Sequence, residues 1–154
     1  MAIFKVPMSA VSVSAAQDLW HIKAGATYPL LIHEIVLSQK TLVAVEGKDL
    51  KLIRHTVTVT QGSGGSTPTP QNMSPGGASS GTTIHMNDTT QASAGTLTTL
   101  HADVWQFLNG FFWMPAPEDR IFIAPSTGFI VSLVAAPSSA MVVSGTVTFE
   151  ELGL

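Results

Sequence analysis

The side chains able to do chemistry are few and scattered. Five histidines, His21, His33, His55, His85 and His101, stand so that no two lie within five residues of each other. A local metal-ligand pair is therefore absent, and a metal site would need partners joined by the fold alone. His21, His33 and His55 fall in stretches that alternate like strands, so they are expected to be half-buried histidines with satisfied ring nitrogens. Asp103, two residues after His101, makes the one His/carboxylate pair on a common strand face. With no nucleophile beside it, that pair does not build acyl-transfer chemistry. Glu118 and Asp119 are adjacent and would face opposite ways in a strand; a turn in which Arg120 pairs locally is expected instead. Glu150 and Glu151 are expected at a solvated strand end. Gly62, Gly64 and Gly65 imitate a phosphate loop, but neither the Lys nor the helix start that such a loop needs follows them. The absence of cysteine excludes a thiol nucleophile and a thiolate metal site. The residues thus point away from an enzyme, and no cofactor or metal is expected.

Aromatic residues carry a sharper signal. Trp105, Phe107, Phe111, Phe112 and Trp113 crowd into nine residues around Asn109-Gly110. Asn-Gly between apolar runs predicts a tight hairpin over residues 103–114. Alternation puts Trp105 and Phe107 on one face, Phe111 and Trp113 on one face, and Phe112 opposite them. One set can enter a core; the other needs cover from a second sheet, a loop or another subunit, which makes all five candidate interface residues. Stacking on a sugar is an alternative use of exposed tryptophans.

A second candidate is the segment QGSGGSTPTPQNMSPGGASSGT, residues 61–82, in which 17 of 22 residues are Gly, Ser, Thr or Pro and none is charged. Structureless loops of this length are uncommon in compact domains unless they have a role. Fully extended, the segment could reach roughly 75 Å. Pro68, Pro70 and Pro75 stiffen it and reduce the entropy lost on docking. It is read as an extended loop or strap for contact with neighbouring subunits, with residues 1–9 as a further possible N-terminal arm.

Composition agrees with a protein made for contact. Charged residues are 11% of the chain, against roughly 25% in ordinary soluble domains, while 45% are apolar. A domain of 154 residues cannot hide that much apolar surface inside itself. The net charge of −3 gives no reason to expect nucleic acid or an anionic membrane as partner, and no apolar run approaches the ~20 residues of a membrane span. The N-terminal stretch is interrupted by Pro7, Ser9, Ser12 and Ser14 and is read as retained strand rather than a cleaved leader.

The elements that must position these residues are strands. Val11 and Val13 alternate with Ser12 and Ser14; Ile53, His55, Val57 and Val59 with Arg54, Thr56, Thr58 and Thr60; Met141, Val143, Val147 and Phe149 with Val142, Ser144, Thr146 and Thr148. Residues 28–38 and 129–135 are apolar on both faces. The best helical window, 41–53, is cut by Gly47. Eight to ten strands, among them 2–7, 10–15 and 50–60, with Gly/Pro turns predict a single all-β domain over residues 1–154, an antiparallel β-sandwich of jelly-roll type.

Read together, AAQDLW, LLIHEIVLSQ, the GSGGSTPTP arm, LHADVW, PAPEDRIFIAPSTGFIVSL and the closing SGTVTFEEL resemble the jelly-roll capsid decoration, or cement, proteins of tailed bacteriophages. The resemblance spans most of the chain and rests on strand-and-turn patterns, with no catalytic residue to carry over. It implies a structural protein on the outer surface of the virion capsid that bridges subunits of the major capsid protein and associates with itself as a homodimer or homotrimer. A tail, neck or baseplate role, or a carbohydrate-binding module, stands beside it; the last requires Trp105 or Trp113 exposed.

Overall fold

In the computed structural model, residues 2–41 and 45–154 are described. The period-two stretches become strands: β1 Ala2–Val13, β2 Gln17–Lys23, β3 Leu30–Gln39, β4 Gly47–His55, β5 Gln71–Asn72, β6 Thr83–Asp88, β7 Leu97–Gln106, β8 Phe111–Trp113, β9 Ile121–Ile123, β10 Gly128–Leu133 and β11 Met141–Glu151. One turn of 3₁₀ helix, Pro117–Asp119, is the only helix among the described residues. All strand pairs are antiparallel and form two sheets. One runs β5-β1-β11-β3-β8, with β9 also on β3; the other runs β6-β2-β10-β4-β7. The expected all-β antiparallel sandwich is what forms. Of the window 41–53, residues 42–44 lie outside the described residues, and Gly47 onward is strand.

The core lies between the sheets. Phe4, Trp20, Trp105, Phe107, Phe129 and Phe149 are its largest side chains and are fully buried. At about 1.5–3 kcal/mol for each large apolar side chain removed from water, this layer holds the two sheets together.

Four bulges reset the alternation, one of them in β2, where Leu19 is the extra residue opposite β10. In β1 the pairing with β11 slips between Met8 and Val11, where Ala10 takes φ 52° and its N–H donates to Ser144 Oγ at 2.9 Å. Two expected strands, 2–7 and 10–15, are thereby one bent strand. Residues 2–9, read as a possible arm, are instead its first part, bonded to β11 along their length. In β3 the extra residue is His33: Glu34 pairs with Thr148 and Ile32 with Phe149. The bulge brings Leu30, Ile32, Ile35 and Leu37 all to the core side, whereas strict alternation splits them between faces. In β7 the extra residue is Leu100. The expected strand 50–60 stops at His55, because from Thr56 the chain leaves the sheet and Val57 is exposed.

The 103–114 hairpin does not form. β7 pairs with β4 in one sheet and β8 with β3 in the other, so residues 107–110 cross between sheets. Asn109 N–H donates to Gln106 O, and Gly110 alone takes a positive φ of 73°. Asn-Gly marks the turn correctly, but the flanking strands part, nine residues of β7 pairing with β4 and the three of β8 with β3.

Residues 56–96, inserted between β4 and β7, explain the polar segment. Outward, Ser63 bridges Thr90 and Ser66 bridges Met86; farther on, Gln71–Asn72 pair with Lys5 and Phe4 at the edge of β1. Asn72 closes the tip through Ala78 O at 2.8 Å and Ser74 N at 2.8 Å. On return, Glu151 accepts from Thr82 N at 3.1 Å, Thr82 Oγ1 at 2.5 Å and Ser80 Oγ. Residues 61–82, expected as a strap on other subunits, lie along their own domain. Pro70 is buried, Pro68 half-buried and Pro75 exposed at the tip. Glu151, expected in solvent, is 1% exposed; the inserted loop provides the hydrogen bonds that let a carboxylate sit there.

Glu151→Ala removes the acceptor that gathers these donors. It is expected to lower stability by about 1–3 kcal/mol in chemical denaturation, with faster amide exchange at Gly81 and Thr82. Unchanged exchange at those amides would contradict this role.

Candidate functional site

The sandwich has two flanks, and the chain treats them differently. On the β1/β2 side the insertion adds β5 to one sheet and β6 to the other. On the opposite side β7 ends one sheet, and β8 and β9 end the other. That flank is open and apolar. Leu97, Leu100, Val104 and Leu108 are 40–48% exposed on and just after β7. Phe112, Met114 and Phe122 are 50–62% exposed on and beside β8 and β9. These seven are the majority of the twelve large exposed apolar residues among the described residues.

The five aromatic candidates divide by strand parity. Trp105 and Phe107 do share a face and meet edge to face, 4.9 Å between ring centroids, deep in the core. Phe111 is buried. Trp113 pairs with Ile35 and is half-buried, its ring 6.4 Å from that of His101 on β7. Phe112, between them, points out from the six-stranded sheet next to Val36. Phe122 does the same between buried Ile121 and Ile123, opposite Leu31. Phe112 and Phe122 thus form an apolar outer face, and Phe122 is the member that sequence reasoning missed. Its signal was present: IFI in a three-residue strand must turn one large residue outward.

The outer face of the five-stranded sheet gathers the titratable residues that the sequence scatters. His21 on β2 and His55 on β4 flank Ile130 and Gly128 of β10. Their Nε2 atoms are 2.7 Å apart. A Cβ on residue 128 would overlap the His55 ring, so glycine is required there. His55 Nδ1 lies 2.7 Å from Thr56 O. A carbonyl only accepts, so Nδ1 carries the proton and His55 Nε2 accepts from His21 Nε2–H. That leaves His21 Nδ1 buried and without a partner among the described residues. Burial, then the proximity of His55, His85 and Lys23, pushes His21 down to about 3. Burial likewise lowers His55, against the opposing Thr56 hydrogen bond and with Lys23 adding to the effect.

Beside them His85 Nδ1 lies 3.4 Å from Asp88 Oδ2, and Asp88 Oδ1 accepts from Gly65 N at 3.2 Å. Asp18, paired with Asp88 across β2 and β6, accepts from Ala92 N at 2.7 Å; burial, chiefly, raises its pKa. Both carboxylates pin the insertion to the sheet. Among the described residues no group of three His, Asp or Glu is placed to hold a metal ion. A cleft of about 490 Å³ beside His55 is lined by Arg54, Thr56, Thr98 and Phe122, but both ring nitrogens of His55 are already engaged. His101 and Asp103 stay apart from this cluster, and the Asp103 carboxylate accepts from Val104 N at 2.7 Å. Glu118 and Asp119 form the 3₁₀ turn, exposed. Glu150, expected in solvent, is 5% exposed and bonded to His33 Nε2 at 2.9 Å, because the β3 bulge brings that imidazole beside β11.

Comparison with family models, with curated proteins and with solved structures finds no match to this chain.

The histidine pair sets a pH dependence. Its folded-state pKa values lie below the 6.5 of an unfolded histidine. The unfolded chain therefore takes up protons first, and stability present above pH 6.5 is lost as pH falls toward about 3 for His21. Asp18, raised, acts in the opposite direction at the acid end. In denaturation between pH 7 and 5, His21→Asn is expected to flatten the slope by up to about 1.4 kcal/mol per pH unit. Parallel curves for variant and parent would refute a neutral, buried His21.

Proposed function

We propose that this chain is a non-enzymatic structural protein of a phage particle, a jelly-roll decoration protein that stabilises a capsid by bridging subunits of the major capsid protein from its outer surface. The observation that carries this reading is that Phe112 and Phe122, 62% and 50% exposed, both turn outward at the β8/β9 edge of the six-stranded sheet. Exposed aromatic rings grouped on a sheet suit a protein partner: they bring large contact area at low entropic cost and serve as anchors in interfaces. The jelly-roll assignment draws support from the strand order, in which β1-β11-β3-β8 faces β2-β10-β4-β7 and successive strands β1 to β4 alternate between sheets. The clamp is made of a sheet face and strand edges, not of the 61–82 segment. Many copies at repeated lattice positions would turn a modest single contact into firm attachment.

A carbohydrate-binding role is less favoured. Trp105 is fully buried and Trp113 is half-buried with its ring beside that of His101, so the pair does not form an exposed stacking platform.

Phe112→Ser combined with Phe122→Ser should leave folding stability within about 1 kcal/mol, since both side chains are exposed, yet weaken attachment to capsids lacking the protein by tenfold or more, about 1.4 kcal/mol. Sedimentation of the chain with such capsids measures this. Attachment unaffected by the double substitution removes the face from the reading, and a chain found in a few copies at the tail removes the capsid.

A further inference from the structure

We propose that the free edge of β7 is a homodimer contact, in which two copies pair their β7 strands antiparallel about a two-fold axis at Ala102. This goes beyond the capsid reading and does not need it.

An unpaired edge strand presents a row of free N–H and C=O groups, and proteins that stay apart blunt such edges with Lys, Pro, charge or cover. β7 is ten residues long and contains no Lys, Arg or Pro. It is exposed over nearly its whole length. The other edge of the same sheet, β6, is by contrast bridged by the chain's own inserted segment. The only devices on β7 that oppose pairing are the bulge at Leu100 and the single charge of Asp103.

The sequence of this edge is complementary to itself. With the axis at Ala102, antiparallel pairing sets residue i against residue 204 − i. Leu100 then meets Val104 of the other copy, and Ala102 meets its own counterpart, where a small side chain lets the strands approach. His101 meets Asp103. Residues 101–104 alternate regularly beyond the bulge, so His101 and Asp103 share one face, and the bulged Leu100 sits at the end of the ladder against Val104. In the single chain His101 makes only its ring contact with Trp113, and Asp103 bonds only its neighbour's amide, among the described residues. Each therefore has capacity for the other. The joined sheet would run continuously through ten strands, five from each copy. It would cover Leu100 and Val104 while leaving Phe112 and Phe122 on the other sheet free for a different partner. A ladder of about five residues is short, so the dimer should be concentration-dependent rather than permanent.

The test is sedimentation equilibrium of the full chain over a concentration series. The parent is expected to move from the chain mass to twice that mass. Asp103→Lys and His101→Glu each place a mismatched or like-charged pair across the axis, and each should weaken dimerisation about tenfold. The combined H101E/D103K variant exchanges the charges and should restore dimerisation to within about threefold of the parent. Asp103 is exposed and His101 half-buried beside Trp113, and circular dichroism with thermal unfolding checks that each variant is folded. Val104→Lys, also on the surface, should abolish the dimer. A monomer at all concentrations, a trimer, or singles that weaken association without rescue by the exchange would each overturn the proposal. Loss of capsid attachment with dimerisation intact would count against the capsid reading alone.

Discussion

A two-sheet sandwich has four edges, and every edge is a row of backbone donors and acceptors that something must satisfy. This chain solves half of that problem internally. The excursion between β4 and β7 lays short strands and bridges against β1 and β6, then returns to be gripped by the buried Glu151. The asymmetry that results, one flank closed by the chain and the other left open, organises the rest of the molecule. It explains why a segment without charge or apolar mass is nonetheless ordered by backbone pairing. It also explains why exposed apolar residues collect on β7, β8 and β9 rather than being spread evenly.

Covering one flank changes the chemistry of the sheet beneath it. Part of the outer face of the five-stranded sheet becomes an interior, and polar residues there need partners. Asp18 and Asp88 receive backbone amides from the insertion, while His21 and His55 receive each other. A neutral imidazole pair, with one nitrogen left unpartnered, suits an environment where a second charge would be costly. Gly128 belongs to the same arrangement, since only a strand without a side chain at that position leaves room for the His55 ring. The histidines act as mortar between sheet and insertion, and their depressed pKa values follow from that position rather than from catalytic tuning.

The open flank and the aromatic outer face have the opposite character: little charge, large apolar residues and free backbone. The low overall charge of the chain has a location here. The covered side contains most of the buried ionisable groups, and the uncovered side has few. A protein arranged this way is suited to being held among other chains, with a sheet face for one partner and a strand edge for another.

Much of the fold was legible from local pattern. Local pattern identified most of the long strands to within a few residues, though it divides β1 in two and runs β4 on past His55, and Gly, Pro and Asn-Gly marked turns, because side-chain direction in a strand has a period of two whatever the strand pairs with. The bulges were not legible. Nothing around His33 or Leu100 announces an extra residue, yet each shifts the parity of everything beyond it, which is why Leu30, Ile32, Ile35 and Leu37 were divided between faces and why Glu150 was expected in solvent. Strand partners were not legible either: FLNGFFW reads as a hairpin locally, while β7 pairs with β4 in one sheet and β8 with β3 in the other. Composition established that more apolar surface exists than one domain can shelter, since that is a matter of counting. Where the surplus lies, and that the polar segment serves its own domain, depended on pairings between residues as far apart as Phe4 and Asn72 or Thr82 and Glu151. Such contacts are worth making only once both sheets exist to hold their ends together, and that cooperation has no trace in the local sequence.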